Sequence, residues 1–389
     1  MPERNSAVGA GTNFFAVAAP GLEVFTAREL SELGLKAAAE PGGVAFSGDR
    51  AALYRANLHL RTASRVLVRL GEFYAAAFSE LRNKAARLPW ETWLRPGQPV
   101  AIHASCHKSR LYHSDAVAER VAGAIADRLG QPAPLEKGSV EAERASAQLV
   151  VVRLVHDQCT ISLDSSGALL HLRGYRLASA KAPLRETLAA AVLLASGWDT
   201  AAPLVDPFCG AGTIAIEAAM LARHAAPGRA RHFAFMDWPD YDARLWKRLL
   251  KTAVESEDKT RAPCIQASDR DAGAIKAARG NAERAGVSDA IEWSRRAISD
   301  LGPQAGPGWV VTNPPYGLRL AQGHDLRNLY ARFGQVLRER FPGWRLAMLS
   351  SDPRLEHATG LAFEREHLAL RNGGLPVRLA QASVAAVDV

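Results

Sequence analysis

The stretch Leu204-Val-Asp-Pro-Phe-Cys-Gly-Ala-Gly-Thr213 decides the fold, because a short apolar strand runs into a glycine-rich turn and then into a helix. Gly210 and Gly212 let the backbone approach a ligand closely, and the N-terminus of the helix offers free N–H groups. The turn lacks the third glycine of a dinucleotide-binding fingerprint and the lysine of a phosphate-binding loop. Asp206 therefore favours a ligand with a positive charge or an amine. The alternative is a tight turn in which Asp206 only caps the helix.

Downstream of this stretch, short apolar runs alternate with helical patterns, beginning with a strand over 264–268. Such alternation predicts an α/β fold with a doubly wound, mostly parallel, Rossmann-like sheet, whose ligands bind beyond the carboxyl ends of the strands. Upstream, residues 1–165 show the short strands and helices of an α+β region, in which one helix begins with Ser114 as N-cap and stops at Gly130. Residues 166–185 have no clear periodicity, so we expect a linker there.

An acidic residue also follows the second strand of the alternation, since Asp269 comes directly after the run 264–268. A carboxylate at this position can accept two hydrogen bonds from a ribose diol. Asp269 lies 57 residues after Gly212, rather than the usual 20 or so, and we therefore infer an insertion over about 225–262. The nearby Asp271 is more simply the cap of the following helix.

The motif Thr312-Asn-Pro-Pro-Tyr-Gly317 follows an apolar strand and therefore lies at the same edge of the sheet as the glycine-rich turn. Two consecutive prolines fix φ and remove backbone donors, so the side-chain oxygen of Asn313 and the carbonyl of Pro314 can accept from one amino group. Tyr316 offers a flat face for a base. An exocyclic amine is a poor nucleophile, and two acceptors favour a pyramidal nitrogen whose lone pair can attack a methyl group. The alternative is a Pro-Pro turn that merely ends a strand.

The chain has 389 residues, a formal net charge of +8 and a pI of about 9.5. Residues 51–110 carry 10 basic and 3 acidic side chains, which favours a polyanionic partner, with an ordinary solvated face as the alternative.

The longest apolar run, 188–198, is too short to span a bilayer, and the N-terminus shows no secretion signal. The four cysteines form no CxxC pair, so we expect no structural metal site and a cytoplasmic location.

The motifs DPFCGAGT and NPPYG, in this order and spacing, resemble those of class I S-adenosylmethionine-dependent methyltransferases that modify exocyclic amines. In addition, GDRAALYRANLHLRTASRV, DSSGALLHLRGYR and KAPLRETLAAAVLL resemble a bacterial subfamily of RNA methyltransferases. Its members carry a ferredoxin-like region and a THUMP RNA-binding domain, and they methylate guanine N2 in 23S ribosomal RNA. The resemblance implies a ferredoxin-like region at 1–65, a THUMP domain at 66–165, a linker at 166–185 and a methyltransferase domain at 186–389.

The resemblance also implies roles for particular residues. The expected S-adenosylmethionine-binding residues are Asp206, Pro207, Gly210, Gly212, Thr213, Asp269 and Asp300. The expected catalytic residues, which would hold the target base, are Asn313, Pro314 and Tyr316. The expected RNA-binding residues are Lys108, Arg110 and Tyr112 in the THUMP region, and Arg173 and Arg176 in the linker; for the last two a solvated linker is the alternative.

Two positions depart from the family pattern. Ala297 stands where many methyltransferases place an acid on the cofactor adenine, so adenine contacts would come from the main chain or from Asp300. Leu318-Arg319-Leu320 lacks the Glu that often follows the motif, which puts one polar contact at the rim of the site in doubt.

The function that these patterns favour is methylation of guanine N2 in 23S ribosomal RNA, with ribosomal RNA or a large-subunit assembly intermediate as partner. Two alternatives stay open at this point. The first keeps the chemistry but targets adenine N6 in RNA or DNA, since NPPY also serves adenine methylation. The second is a non-catalytic ribosome-assembly factor that uses the methyltransferase domain as an RNA clamp. No obligate protein partner is evident from the sequence.

Overall fold

The computed structural model of the chain describes residues 11–136, 147–177, 184–261, 264–302, 307–316 and 326–385. The described residues form two compact units. Unit 1 comprises the residues through Ala18, Thr26–Leu172 and Gly228–Thr252, and unit 2 comprises Ala19–Phe25, Arg173–Pro227 and the residues from Ala253 onward. The chain therefore crosses between the units at five points along the sequence, after residues 18, 25, 172, 227 and 252.

Unit 1 is built on a sheet of eight strands. The strands are β1 (Thr12–Ala18), β2 (Ala37–Glu40), β3 (Gly43–Gly48), β4 (Ala63–Tyr74), β5 (Val100–His107), β6 (Leu135–Glu136), β7 (Gln148–Val155) and β8 (Gln158–Asp164). Their order in the sheet is β2-β3-β1-β4-β8-β7-β5-β6. Neighbours are antiparallel, except that β5 runs parallel to β7 and to β6. This arrangement confirms the expected α+β character of the N-terminal part.

The described helices number ten. They are α1 (Glu23–Glu32), α2 (Arg50–His59), α3 (Phe78–Ala85), α4 (Ser114–Leu129), α5 (Glu186–Ala195), α6 (Thr213–Ala222), α7 (Ala243–Glu255), α8 (Ala272–Ala285), α9 (Arg327–Arg340) and α10 (Pro353–Ala358). Helix α4 ends at Gly130 as predicted, with a φ of +73° that suits glycine. The predicted cap is wrong by one residue: His113 occupies the N-cap without a side-chain hydrogen bond, and Ser114 is the first helical residue.

The segment Gly228–Thr252 packs within unit 1, although the sequence analysis includes it in the methyltransferase region. The Phe235 ring stacks on Tyr54 with their centroids 4.3 Å apart. The indole N–H of Trp238 donates to the side-chain oxygen of Gln148 at 2.8 Å, and both residues are buried. Burial of these aromatic rings and a satisfied buried hydrogen bond explain why the segment belongs to the N-terminal unit.

Unit 2 is built on a sheet of seven strands. The strands are β9 (Leu204–Asp206), β10 (Ile265–Asp269), β11 (Ile291–Arg295), β12 (Trp309–Thr312), β13 (Arg345–Ser350), β14 (Leu368–Asn372) and β15 (Leu375–Ser383). Their order is β11-β10-β9-β12-β13-β15-β14. The first five are parallel, and β15 runs antiparallel to β13 and pairs with β14 as a hairpin. The predicted Rossmann-like, mostly parallel sheet is therefore confirmed.

The strand order of the unit 2 sheet determines where the predicted site residues lie. Strand β9 lies between β10 and β12, so the carboxyl ends of these three strands share one edge. Asp206 and Asp269 end β9 and β10, and Asn313 follows β12. In parallel α/β sheets this edge is where ligands bind. None of the described helices combines the length and the apolar character needed to cross a membrane.

Candidate active site

The glycine-rich turn after β9 has a backbone that requires glycine. Gly210 and Gly212 have φ angles of +51° and +84°, in the left-handed region that favours glycine. A Cβ on Gly212 would lie 2.7 Å from Cη2 of Trp293, whereas a Cβ on Gly210 would meet nothing within 4 Å. Gly212 is thus required by packing against the sheet, and Gly210 faces open space that a ligand can enter. Pro207 is buried in the same turn.

Asp206 is buried beneath this turn, with 1% of its surface exposed. Its Oδ1 accepts hydrogen bonds from the Thr312 hydroxyl at 2.6 Å and from the Phe208 N–H at 3.3 Å. Burial raises the pKa of the Asp206 carboxyl to about 7; these hydrogen bonds oppose the rise, and the nearby charge of Asp269 adds to it. A buried carboxylate of this kind gains stability when a cationic ligand binds beside it.

Asp269 is half-buried and holds the turn from the neighbouring strand. Its Oδ2 accepts from the Gly210 N–H at 3.1 Å, and its Oδ1 accepts from the Asp271 N–H at 3.0 Å. Each carboxylate oxygen retains a further lone pair for a ligand hydroxyl. Asp271 caps α8 by accepting from the Gly273 N–H at 2.7 Å, as predicted. The geometry thus leaves Asp269, rather than Asp271, beside the glycine-rich turn.

The Asn-Pro-Pro-Tyr loop follows β12 at the same edge. The Oδ1 atom of Asn313 is buried and has no hydrogen-bond partner among the described residues. A buried acceptor without a partner costs free energy, so this atom is poised to accept from an incoming donor. Pro314 is buried beside it, and Tyr316 is buried with 6% of its surface exposed.

Two contacts of this loop were not predicted from the sequence. The side-chain N–H of Asn372, at the end of β14, donates to the hydroxyl oxygen of Tyr316 at 2.7 Å. Tyr330 on α9 also donates through its hydroxyl to the carbonyl of Pro315, at 3.2 Å. These bonds fix the loop from two other elements. The Asn-Gly-Gly sequence at residues 372–374 indicates a turn between two strands, but it does not indicate which residue Asn372 contacts.

Two predicted RNA-binding residues occupy different surroundings from those expected. Arg173 has 3% of its surface exposed, and its Nε lies 3.7 Å from a carboxylate oxygen of Glu217 on α6. Arg176 pairs with Glu186 at 3.0 Å and donates to the hydroxyl of Thr213 at 2.7 Å. Both guanidinium groups are therefore engaged inside unit 2, and the structure contradicts their prediction as RNA contacts. The lack of clear periodicity over 166–185 predicts a linker, and it gives no sign of the two acidic partners, which lie outside this segment.

This buried polar group supports the start of α6. Tyr175 donates through its hydroxyl to Glu217 at 3.1 Å, and burial raises the pKa of the Glu186 carboxyl to about 7 against the opposing charge of Arg176. The hydroxyl of Thr213, a predicted cofactor contact, accepts from Arg176 and lies in a buried residue. Thr213 thus connects the glycine-rich turn to the ion pairs behind it.

The remaining predicted positions near the cofactor lie after β11. Asp300 is exposed at the end of a short 3₁₀ turn that starts after Ala297, and its backbone N–H donates to the Ala297 carbonyl at 3.0 Å. Its carboxylate accepts from the Ser299 hydroxyl at 3.2 Å. No described contact joins Asp300 to the glycine-rich turn, so its cofactor role stays a prediction. Leu318, Arg319 and Leu320 lie outside the described residues.

Lys108, Arg110 and Tyr112 form an exposed loop after β5 in unit 1. Lys108 has a φ of +48°, a conformation that a lysine rarely adopts. Asp157 holds this loop: its Oδ1 accepts from the Arg110 N–H at 2.6 Å, and its own N–H donates to the Ser109 hydroxyl at 3.0 Å. The loop presents two cations and a ring that is 70% exposed on a backbone fixed by a neighbouring turn.

Among the described residues, this site holds neither an ionised thiol nor a cluster of metal ligands. Cys209 is buried in the glycine-rich turn, and burial raises the pKa of its thiol well above the usual range, so the thiol form dominates. Within the described ranges, no group of three or more His, Cys, Asp or Glu residues could hold a metal ion.

The residues of this site fit S-adenosylmethionine. The cofactor offers an ammonium group and a ribose diol, and the site offers a buried carboxylate at Asp206, a second carboxylate at Asp269 and open space at Gly210. This fold and this site together place the chain among the class I methyltransferases, whose methyl donor is S-adenosylmethionine.

Comparison with known families narrows the class. Residues 173–381 match the family described as RMKL-like, methyltransferase domain; residues 13–67 match the RlmL ferredoxin-like domain, and residues 75–164 match the THUMP domain. The chain belongs to the RMKL-like family of methyltransferases with ferredoxin-like and THUMP domains, and it is an S-adenosylmethionine-dependent RNA methyltransferase. Its class, cofactor and domain types were thus predicted correctly from the sequence.

Individual relatives agree with this membership. The chain is 37% identical to slr0064 of Synechocystis, named as an RNA methyltransferase, over 97% of this chain and 98% of that protein. It is 39% identical to the ribosomal RNA large subunit methyltransferase K/L of Syntrophotalea carbinolica, over 96% of this chain but only 53% of that protein.

Solved structures agree as well. SMU.472, crystallised with SAH, is 32% identical with a TM-score of 0.86, over 98% of this chain and 99% of that one. A predicted N6-adenine-specific DNA methylase from Listeria monocytogenes is 32% identical with a TM-score of 0.85, over 96% of each chain.

Proposed function

We propose that this protein methylates the exocyclic N2 amine of a guanine in 23S ribosomal RNA, in the cytoplasm. The observation that carries the proposal is the buried Oδ1 of Asn313, which has no hydrogen-bond partner among the described residues and lies at the edge of the sheet that also holds Asp206 and Asp269. The choice of ribosomal RNA is supported by relatives named as large-subunit ribosomal RNA methyltransferases, of whose length this chain spans about half.

Each residue of the site has a separate role in the proposed reaction. S-adenosylmethionine, when bound, would supply an electrophilic methyl group: the N–CH3 bond forms as the S–CH3 bond breaks, S-adenosylhomocysteine leaves, and the methylated amine loses one proton to solvent. Asp206 pairs with its ammonium group, and Asp269 accepts from its ribose hydroxyls. Asn313 and the Pro314 carbonyl accept from the N–H groups of the target amine, which weakens the delocalisation of the lone pair into the ring. The same acceptors stabilise the positive charge that develops on the nitrogen during attack, so they act most strongly in the transition state.

Tyr316 provides the face on which the base stacks, and the hydrogen bond from Asn372 fixes the position of its hydroxyl. The target base must leave its stack to reach this loop, since the amine of a paired guanine is already engaged. Lys108 and Arg110 contact phosphates and Tyr112 offers a stacking face, so unit 1 supplies affinity for RNA.

Analysis of nucleosides by mass spectrometry tests the product. Ribosomal and transfer RNA from cells with and without the protein are compared, and we expect N2-methylguanosine to disappear from 23S ribosomal RNA alone. Loss of N6-methyladenosine instead would support the adenine alternative, and the name of the Listeria relative makes this the second candidate. An unchanged set of modified nucleosides would favour the non-catalytic assembly factor.

Single-turnover methylation with tritiated cofactor tests the amine site. Asn313→Ala should lower the rate by on the order of 10²–10³-fold, by comparison with the removal of one donor from an oxyanion hole, while cofactor binding stays near wild type. Asn313→Asp keeps an acceptor oxygen and is the matched control. A nearly full rate in Asn313→Ala would show that this loop is only a turn at the end of a strand.

A further inference from the structure

Helix α7 carries a basic stripe on its exposed face. Arg244, Lys247 and Arg248 are all exposed, whereas Trp246 is buried with 6% of its surface accessible. The spacing of three and four residues places the cations on one side of the helix, over about 6 Å at 1.5 Å per residue. We call Arg244, Lys247 and Arg248 the α7 stripe.

The helix is held firmly by unit 1. The Trp246 ring packs edge-on against Tyr54, with centroids 6.0 Å apart, and against Phe235 at 5.5 Å. The Tyr54 hydroxyl accepts from the Asp242 N–H at 3.1 Å, and the Asp242 carboxylate accepts from the backbone N–H groups of Arg244 and residue 245 at 3.0 and 2.9 Å. The stripe therefore stands on a fixed helix that is capped at its start.

The three cations of the stripe have no acidic partner within the described part of the chain. None of their side chains makes an ion pair or a hydrogen bond with another described residue, and the nearby carboxylates are engaged elsewhere. Asp240 pairs with Arg50 at 2.6 Å, and Asp242 caps the helix. A group of like charges without internal partners raises the local positive potential and attracts a polyanion.

We propose that the α7 stripe is a second RNA-binding surface, which contacts phosphates of the substrate in addition to the loop that contains Lys108 and Arg110. The inference rests on RNA as the substrate and adds a surface outside the THUMP region, contributed by the insertion between β9 and β10. Arginine and lysine on one helix face recognise the phosphate backbone without reading sequence, so the surface raises affinity and sets orientation.

The test uses the full chain and an unmodified 23S ribosomal RNA transcript, with binding measured by fluorescence anisotropy between 50 and 300 mM salt. The stripe variant is Arg244→Gln, Lys247→Gln, Arg248→Gln. We expect its affinity at 100 mM salt to fall by about tenfold or more, and the slope of log K against log salt to fall by roughly two to three, close to one per lost phosphate contact.

The control variant is Lys36→Gln, Lys259→Gln, Lys276→Gln, which removes the same charge from exposed lysines elsewhere. We expect the control to lose less than about twofold, and both variants to bind S-adenosylmethionine as the wild type does. Equal losses in the two variants would overturn the proposal, since net charge alone would then explain the effect.

Two further outcomes would also overturn the proposal. If the stripe variant keeps wild-type RNA affinity but no longer binds vesicles with anionic headgroups that the wild type binds, the stripe faces a membrane surface. If the wild-type chain itself binds no RNA, the proposed RNA substrate is wrong, and the proposed role of the α7 stripe is wrong with it. Comparing the variants with each other would not reveal this outcome, so binding by the wild type is measured first.

Discussion

The pH dependence of cofactor binding tests the role of Asp206. Burial raises the pKa of its carboxyl from 3.8 to about 7 in the cofactor-free chain, and only the charged form pairs with an ammonium group. Apparent affinity then follows the charged fraction. This fraction falls from one half at pH 7.0 to about 0.03 at pH 5.5, so the Kd for S-adenosylmethionine should rise roughly fifteenfold. The α-amino group of the cofactor stays protonated throughout this range.

Calorimetric titration of the full chain at pH 7.0 and 5.5 measures this change. Asp206→Asn keeps an acceptor oxygen for the Thr312 hydroxyl but cannot ionise, so it should bind more weakly at pH 7.0 and show almost no dependence on pH. Asp199→Asn alters an exposed carboxylate of the same unit and should keep the wild-type dependence. If wild type and Asp206→Asn show the same dependence, Asp206 is not the titrating partner of the ammonium group.

The Asp206 carboxyl also makes the free energy of unfolding depend on pH. A carboxyl whose pKa is raised by folding stabilises the protein fully below pH 3.8, and this contribution is lost as the pH rises through about 7. The rise of this pKa from 3.8 to about 7 corresponds to about 4 kcal/mol. Without cofactor, Asp206→Asn should therefore gain stability relative to wild type between pH 5 and pH 8, as measured by urea denaturation.

Three further substitutions address single contacts. Asp269→Ala should weaken S-adenosylmethionine binding by roughly 1.5–3 kcal/mol, because a carboxylate accepts charge-assisted bonds from the ribose, and calorimetry measures this. Asn372→Ala should lower the single-turnover rate by about five- to tenfold with unchanged cofactor affinity, because Tyr316 loses its anchor. Trp238→Phe should lower the free energy of unfolding by about 1–3 kcal/mol in thermal denaturation, because the side-chain oxygen of Gln148 is left buried without its donor.

Each of these has an outcome that contradicts it. Wild-type cofactor affinity in Asp269→Ala would assign the ribose to another group. A rate in Asn372→Ala equal to that of the wild type would show that the hydrogen bond from Asn372 is not needed to hold Tyr316 in position. For the third substitution, Trp309→Phe provides the control, since its indole donates to the Ser196 carbonyl from a partly exposed position. Equal destabilisation by both would indicate loss of ring volume rather than of the buried bond.

The elements and site residues with strong local signals were predictable from the sequence. Asp271 caps α8 as expected, and Asp49 caps α2 in the same way, because a short acidic side chain before a helix satisfies a free N–H group nearby. The glycine-rich turn and the Asn-Pro-Pro-Tyr loop were placed at one sheet edge from the order of strands alone. No strand was predicted over 100–107, because the exposed histidines and serine there alternate with residues of which only Ile102 is strongly apolar.

Arg173 and Arg176 were misassigned because their acidic partners lie outside the segment 166–185. Arg173 and Arg176 lie in a basic, apparently irregular segment, and nothing local shows that Glu217 and Glu186 pair with them. The sequence did indicate that these acids need partners, because Glu186 and Glu217 lie in otherwise apolar helices, where burying an unpaired carboxylate costs free energy. The packing of Gly228–Thr252 into unit 1 had no comparable local signal, since aromatic residues in an insertion fit several partners.

The membership of Gly228–Thr252 in unit 1 has a consequence for synthesis on the ribosome. Tyr54 and Gln148 emerge early, but Phe235 and Trp238, which cover them, follow only after β9 and α6 of unit 2. At about 5–20 residues per second, the 80 residues between positions 172 and 252 delay completion of the N-terminal core by roughly 4 to 16 s. During this interval the nascent chain exposes an apolar surface that a chaperone can bind, because unit 1 can complete its core only after part of unit 2 has been synthesised.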